Sequence, residues 1–449
     1  MNDAREQFEG QQWQELEAMK EQVDRIEVPA AIDEAIRSGM RLGRARRRRR
    51  TISRLASYTA MLMLLAMVAS IRFSPVVAAY VGDIPGLRAF VELINHDKGL
   101  ELALENDYMQ RVGLSDEHDG IKLTVDGIIA DETRVIVFYT LENMDGKKRV
   151  VNLQRVQLGN STTASSSYGT SAFEEDWESK QGTIDFYFDG EADIPDMLDL
   201  EVMLGKDHEA AAADGILWKV RIPVDKTKFV GLKETYAVNK TVTVEGQRIT
   251  FGTMTVYPTR IGLEVEYDRA NTKKLFYFDD IRIEDEKGET FGSILNGMSA
   301  SVINENKLVL YFQSNYFRKP KQLYLRANSI RALDKSKLEV QIDLERKKLL
   351  SRPDDRITLT DVGTNAEDGQ GVLDFHLKND DPLDEGRSYS LFDSSYKDAS
   401  GQTFDSNMTG SSQEEYQYYI RKEKYQSPLT LTIADYPTRI RGDIDVRIK

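Results

Sequence analysis

Residues 55–71 form an apolar run, LASYTAMLMLLAMVASI, without a single charged side chain. As an α-helix, a run of this length would extend roughly 26 Å, the short end of what a bilayer requires. Arg54 and Arg72 flank the run and can reach toward the two membrane interfaces. The sequence therefore predicts one transmembrane helix over residues 52–74. A buried helix of a soluble core is the alternative, but such helices rarely follow a dense arginine cluster.

The arginines around this run predict its orientation. Residues 41–54 carry eight arginines and no acid, whereas residues 1–40 carry ten acids and four bases. By the positive-inside rule, the N-terminus is cytoplasmic and the large C-terminal part is extracellular. The residues assigned to this topology signal are Arg46, Arg47, Arg48, Arg49, Arg50, Arg54 and Arg72.

Two other interpretations of this region fit its length and surroundings less well. Val77-Ala78-Ala79 resembles a signal-peptidase site, but the 54 residues before the apolar run are too many for a signal peptide. The arginine cluster alone is also typical of a nucleic-acid patch. Beside a membrane span, a topology signal that attracts anionic lipid is the better interpretation.

Residues 1–50 are predicted to be a cytoplasmic amphipathic helical segment. Apolar residues recur there at spacings of three and four, with a break at Pro29, and acids cover the opposite face. So short a segment cannot bury a core, so we expect it to fold onto a partner protein; a solvated tail is the alternative. The expected contact residues are Trp13, Leu16, Val23, Ile26, Ile32 and Ile36.

After the predicted span, residues 83–115 are expected to form juxtamembrane helices. Leu87, Phe90, Val91 and Ile94 recur at helical spacing. Asp97 is placed to cap a second helix whose apolar face is formed by Leu100, Ala103 and Leu104.

From residue 116 the periodicity changes to two, and a repeat emerges. Three units are predicted, over residues 116–226, 238–346 and 350–449. They open on Lys122-Leu123-Thr124-Val125, Arg248-Ile249-Thr250-Phe251 and Arg356-Ile357-Thr358-Leu359, and they close on the alternating strands Trp218/Val220/Ile222, Leu338/Val340/Ile342 and Ile444/Val446/Ile448. The second and third also share an acidic turn before a strand, Asp285 to Phe291 and Asp398 to Phe404.

Each unit has roughly 100 residues and about seven short strands, which is typical of an immunoglobulin-like β-sandwich. The fold expected is mainly β, with N-terminal amphipathic helices and one transmembrane helix followed by tandem sandwiches. One large β structure with chance internal similarity is the alternative.

The composition narrows the range of functions that the protein can have. The 449 residues carry a net charge of −14, contain no cysteine and only four histidines. The negative charge argues against a general nucleic-acid binder, and the missing cysteines exclude disulfides and thiol chemistry. The histidines lack zinc-ligand spacing, and acid-rich turns such as residues 116–120 are best interpreted as solvated loops. We expect no enzyme, no metal and no cofactor.

Several motifs resemble the domain of unknown function family 4179, single-pass proteins of spore-forming Gram-positive bacteria, and the middle β unit resembles the immunoglobulin-like extracellular domains often attached to it. The motifs are Ile32-Asp33-Glu34-Ala35-Ile36-Arg37, Ile84-Pro85-Gly86-Leu87, Asp97-Lys98-Gly99-Leu100, Glu105-Asn106-Asp107-Tyr108 and Asp126-Gly127-Ile128-Ile129-Ala130-Asp131-Glu132-Thr133. Members resemble anti-sigma factors, so the resemblance implies a cytoplasmic sigma factor as partner and no catalytic residues.

Two functions are therefore expected as alternatives. The first is a membrane-anchored regulator that holds an extracytoplasmic-function sigma factor through its N-terminal helices and senses the envelope, including cell-wall components, with its β domains. The second is a cell-surface structural or adhesion protein whose N-terminus is only an anchor.

Overall fold

The structure, a computed structural model, divides the chain into two compact units, Met1–Tyr80 and Val81–Lys449. It describes residues 13, 16–22, 93–94, 96–159, 164–169, 176–188, 194–205, 216–294, 299–366, 369–379, 381–385, 387–406 and 409–449. In the first unit, residues 13 and 16–22 are helical. None of the helices in these ranges is long and apolar enough to cross a membrane. The predicted span, 52–74, lies outside the described residues.

The second unit is mainly β, as the alternating residues predicted. Residues 93–94 are helical, and helix α1 (Lys98–Glu105) follows them. The cap of α1 is the predicted one: the Asp97 carboxylate accepts hydrogen bonds from the backbone N–H groups of Gly99 and Leu100. Leu100, Ala103 and Leu104 are buried, so the predicted apolar face of α1 is confirmed. Strand β1 (Gln110–His118) begins inside the segment 83–115, for which the sequence had predicted helices throughout.

The first sandwich occupies residues 110–223. One sheet has the order β1-β2-β3-β6-β5 and the other the order β4-β7-β8. Trp218 on β8 donates its indole N–H to the carbonyl of Ile121 on β2 at 3.0 Å, which joins the two sheets. The strands after β1 are β2 (Ile121–Ala130), β3 (Arg134–Asn143), β4 (Asn152–Leu158), β5 (Ala164–Tyr168), β6 (Ser179–Phe188), β7 (Met197–Gly205) and β8 (Leu217–Pro223).

The second sandwich pairs the sheet β15-β16-β11-β10-β9 with a sheet built around the long strand β17. Its core combines buried residues of both sheets with Leu102 of α1. Its strands are β9 (Glu234–Val244), β10 (Gln247–Val256), β11 (Arg260–Tyr267), β12 (Lys273–Phe278), β13 (Arg282–Asp285), β14 (Thr290–Phe291), β15 (Ala300–Asn304), β16 (Lys307–Gln313), β17 (Leu323–Asp334) and, from far along the chain, β27 (Arg439–Arg447).

The third sandwich pairs the sheet β19-β18-β26-β22-β23 with the sheet β20-β21-β25-β24. Its strands are β18 (Glu339–Asp343), β19 (Lys348–Ser351), β20 (Ile357–Thr364), β21 (Gly371–Leu377), β22 (Phe392–Lys397), β23 (Thr403–Asp405), β24 (Thr409–Ser412), β25 (Glu415–Ile420) and β26 (Leu429–Ile433).

The repeated acidic turns have the predicted form. The Asp285 carboxylate accepts from the N–H groups of Lys287 and Glu289, and the Asp398 carboxylate accepts from those of Ser400 and Gln402. The glycines in these turns, Gly288 and Gly401, have φ angles of 80° and 87°, which side chains with a Cβ rarely adopt. The turns lead into β14 and β23 as expected.

The two closing strands differ from the repeat-based assignment. The repeat places Val340 and Ile342 at the end of the second unit, and Ile444 and Val446 at the end of the third. In the structure β18 instead pairs with β26 of the third sandwich, and β27 pairs with β17 of the second. The alternation along the two strands is the same, so the sequence pattern could not show which sheet each strand joins.

The α1 helix carries a titratable group, Glu101, whose ionisation links the stability of the fold to pH. Burial, together with the neighbouring carboxylates Glu105 and Asp97, raises the pKa of Glu101 to about 7. A raised folded-state pKa means that the folded protein binds the proton more tightly than the unfolded chain. The resulting stabilisation is complete below about pH 4.5 and is lost as the pH rises through 7.

We therefore predict that Glu101→Gln raises the melting temperature of the full chain at pH 8 and leaves it unchanged at pH 4. The measurement is thermal unfolding at both pH values in detergent micelles. Glu339→Gln, an exposed position on β18, serves as the control and should change neither value. An equal effect of Glu101→Gln at both pH values would contradict the assignment.

Candidate functional site

Only some of the predicted partner-binding residues lie in the part of the chain that the structure describes. Trp13 and Leu16 are helical, and their exposed fractions are 71% and 58%. Met19, one further turn along, is also exposed. Large apolar side chains at such exposure are candidates for burial against another protein. The other predicted contacts and the topology arginines lie outside the described residues; they are Val23, Ile26, Ile32, Ile36, Arg46, Arg47, Arg48, Arg49, Arg50, Arg54 and Arg72.

In the second unit, charged and hydroxyl side chains come together in a buried cluster that we call the ionic junction. Its members are Asp97, Asp131, Thr133, Arg134, Asp185, Thr259 and Arg260. Arg134 lies at the start of β3, and its side chain is 1% exposed. Its guanidinium donates from Nε and Nη2 to the two oxygens of Asp185 on β6, at 3.0 and 3.2 Å. Its Nη1 donates to Asp97 at 3.0 Å. One arginine thus joins the cap of α1 to the first sandwich.

Asp131 extends the junction to the second sandwich. Its Oδ1 accepts from the N–H groups of Thr133 and Arg134, which fixes the turn between β2 and β3. Its Oδ2 accepts from the N–H of Thr259 at 2.8 Å, and Thr259 immediately precedes β11. A single carboxylate therefore ties a turn of the first sandwich to a turn of the second.

Arg260, the first residue of β11, makes the reciprocal connection. Its Nε donates to the hydroxyl of Thr133 at 2.9 Å, and its Nη2 donates to the carbonyl of Thr133 at 3.0 Å. The guanidinium carbon lies 3.9 Å from the ring centroid of Tyr311 on β16, a cation–π contact. The interface between the sandwiches is thus formed by charged and hydrogen-bonded groups that are shielded from water.

The α1 helix also contacts the second sandwich directly. Gln313 donates to the carbonyl of His96 at 2.6 Å, and Lys98 donates to the carbonyl of Thr290 at 2.7 Å. A Cβ on Gly99 would lie 2.6 Å from the backbone nitrogen of Ser314, so only glycine permits this approach. Because Asp97 binds Arg134 at the same time, α1 is held between the two sandwiches.

The electrostatics of the junction are those of a structural clamp. Burial alone would lower the pKa of Arg134, but Asp185 and Asp97 outweigh it and raise that pKa, so the guanidinium stays charged. Both carboxylates of its pairs are buried with it, and a buried guanidinium offers no proton for catalysis. The described residues contain no group of three or more His, Cys, Asp or Glu side chains placed to hold a metal ion.

Sequence reasoning did not single out the junction. The sequence predicts Asp97 only as a helix cap and contains Asp131 and Thr133 only as part of a family motif, and no pattern in it indicates a structural role for Arg134 or Arg260. A threonine followed by an arginine stands at the head of both β3 (Thr133-Arg134) and β11 (Thr259-Arg260), but this shared feature does not by itself indicate that the arginine is buried.

We predict that Arg134→Met destabilises the first sandwich by about 3 to 5 kcal/mol, because it leaves Asp97 and Asp185 buried without their partner. Trp177 and Trp218 are buried in that sandwich, so tryptophan fluorescence during urea unfolding reports the loss. Arg221→Met is the control, because the Arg221 side chain is 71% exposed and its pair with Asp199 should be worth less than 1 kcal/mol. Equal losses for both variants would contradict the clamp.

Two family models match the chain. Residues 47–143 match a domain of unknown function (DUF4179), and residues 233–360 match a family of unknown function (DUF5643). Asp97, Asp131 and Arg134 lie in the first matched segment, and Thr259 and Arg260 lie in the second. The junction therefore joins the two family segments.

No curated protein matches the chain. Among solved structures, the crystal structure of the conserved domain protein from Bacillus anthracis is similar, with 13% sequence identity and a TM-score of 0.36 over 54% of this chain and 84% of that one. The resemblance to the domain of unknown function family 4179 is thus confirmed for residues 47–143, and the middle β unit matches a second family of unknown function.

Proposed function

We propose that this chain is a membrane-anchored anti-sigma factor. In this proposal, residues 1–50 hold an extracytoplasmic-function sigma factor at the cytoplasmic face, residues 52–74 cross the membrane, and the β-sandwiches sense the envelope outside it. The sandwiches are immunoglobulin-like in this account, with paired antiparallel sheets of short strands.

The observation that carries the proposal is the row formed by Trp13, Leu16 and Met19. These three residues recur every third position of a helical segment, and all are exposed. Tryptophan is the residue type most enriched at the energetic centre of protein interfaces. The row precedes a cationic cluster and an apolar run, which favours a cytoplasmic position for it.

The junction supports the extracellular half of the proposal. The α1 helix is the first complete element described after the predicted span, and it is held by both the first and the second sandwich through Asp97, His96 and Lys98. A change in the relative position of the sandwiches must therefore strain α1. This gives a physical route from the β domains to the segment that leads into the membrane.

We predict that residues 1–50 bind an extracytoplasmic-function sigma factor from the same organism in a bacterial two-hybrid assay. Trp13→Asp and Leu16→Asp should each lower the signal at least tenfold, because an interface residue of this kind contributes about 2 kcal/mol or more. Glu17→Gln changes an exposed polar position of the same helical segment and should leave the signal unchanged.

The adhesion alternative gives the opposite result. If residues 1–50 give no signal, and deletion of residues 1–40 leaves transcription unchanged and impairs only binding to cell wall or matrix, the chain is a surface protein with an N-terminal anchor. A signal that persists in both aspartate variants would also contradict the proposal.

A further inference from the structure

The closing strands of the second and third sandwiches are equivalent by sequence and exchanged in space. Val340 of β18 lies opposite Leu431 of β26, and Val446 of β27 lies opposite Leu325 of β17. Within the repeat, Val340 corresponds to Val446 and Leu325 to Leu431. Each strand therefore occupies, in the same register, the position that the repeat assigns to the other.

Both exchanged strands contribute to the core of the sandwich that receives them. Val340 and Ile342 are fully buried in the core of the third sandwich. Ile440, Ile444 and Val446 are buried in the core of the second. Neither core is complete without side chains from the strand that the repeat places in its neighbour.

We propose that this reciprocal strand exchange, which we call the strap, makes the second and third sandwiches, residues 233–449, unfold and refold as one cooperative unit. If the third sandwich unfolds, β17 and β27 become the ends of an unstructured loop of about 100 residues. The loop-closure entropy then weakens their pairing on the order of a thousandfold. If β27 leaves the second sandwich, the segment that leads back from β26 is released as well.

Hydrogen bonds join the chain that leaves the second sandwich after β17 to the chain that returns to it before β27. Ala332, near the end of β17, donates its N–H to the carbonyl of Thr438 at 2.8 Å, and the Thr438 hydroxyl donates to the carbonyl of Ala332. The outgoing and returning chains are therefore bonded to each other where they pass between the sandwiches.

An ionic cluster that is buried except at Arg387 surrounds this crossing. Arg439, at the start of β27, donates from Nε to Asp279 at 2.9 Å and from Nη2 to Asp384 of the third sandwich. Arg387 of the third sandwich donates to the other oxygen of Asp279, also at 2.9 Å. Arg331 of β17 lies 3.1 Å from Asp435, on the returning segment. The returning strand cannot move without breaking pairs that belong to both sandwiches.

The chain contains no cysteine, so engineered pairs can identify the strand arrangement without background. Tyr324 lies opposite Arg447, and Gln341 opposite Thr430. Both are non-hydrogen-bonded pairs, in which Cα atoms approach to about 4.5 Å, a distance that a disulfide spans. If the strands were not exchanged, β17 would pair with β18, and β26 with β27. The same four positions in new combinations test that alternative: Tyr324 with Gln341, and Thr430 with Arg447.

We expect Tyr324→Cys with Arg447→Cys, and Gln341→Cys with Thr430→Cys, to cross-link in the folded full chain under mild oxidation. The recombined pairs should remain thiols, as read by mass spectrometry of non-reduced peptides. Cross-linking of the recombined pairs in place of the first two would overturn the exchange and the strap with it.

Cooperativity is tested by hydrogen exchange on the full chain in detergent micelles. Leu373→Ala creates a cavity in the third sandwich, where Leu373 is fully buried, and should speed exchange of the β17 and β27 amides together with those of β21. Leu123→Ala, at a buried position of the first sandwich, is the matched control and should leave β17 and β27 unchanged. Faster exchange in β21 with unchanged β17 and β27 would overturn the proposal.

Discussion

The arrangement of the first two sandwiches depends on a guanidinium that has been removed from water. Arg134 can be buried only because Asp185 and Asp97 compensate its charge with three hydrogen bonds. These partners belong to different elements, a strand of the first sandwich and the cap of α1. Because separating buried charges costs free energy, these ion pairs restrain the relative positions of the elements that carry them. Asp131 extends the same restraint to the second sandwich through its hydrogen bond with Thr259.

A second constraint acts between the second and third sandwiches. Between the second and third sandwiches the connection is topological, because the core of each contains a strand that the repeat assigns to the other. The two mechanisms together relate all three sandwiches and α1, one through paired charges and the other through strand exchange. In the proposed regulator, a stimulus at the first or second sandwich would reach α1 through the junction, and a stimulus at the third would reach it through the strap and then the junction.

Local patterns made much of the β architecture predictable. The alternation in β2, β10 and β20 predicted strands, and Asp97 predicted the start of α1, because a cap and a buried stripe depend on near neighbours in sequence. Strand β5 (Ala164–Tyr168) could not be predicted, because its small polar residues lack the apolar alternation of a half-buried strand. The exchange was missed because β18 and β27 carry the same alternation.

The junction was missed for a different reason. The partners of Arg134 lie 37 and 51 residues away, and nothing in a single sequence distinguishes a buried arginine from an exposed one at the head of a strand. Long-range charge pairing becomes visible only when the fold brings its members together, whereas the cap and the buried face of α1 needed only near neighbours in sequence.

The central claim is that the membrane separates the Trp13–Met19 row from the β-sandwiches. Single cysteines at Met19 and at Val302, both exposed, can be labelled with a membrane-impermeant maleimide in intact cells whose cell wall is permeable to the reagent. The account predicts that Val302→Cys is labelled in intact cells and that Met19→Cys is labelled only after lysis. Labelling of Met19→Cys in intact cells, or protection of Val302→Cys, would contradict it.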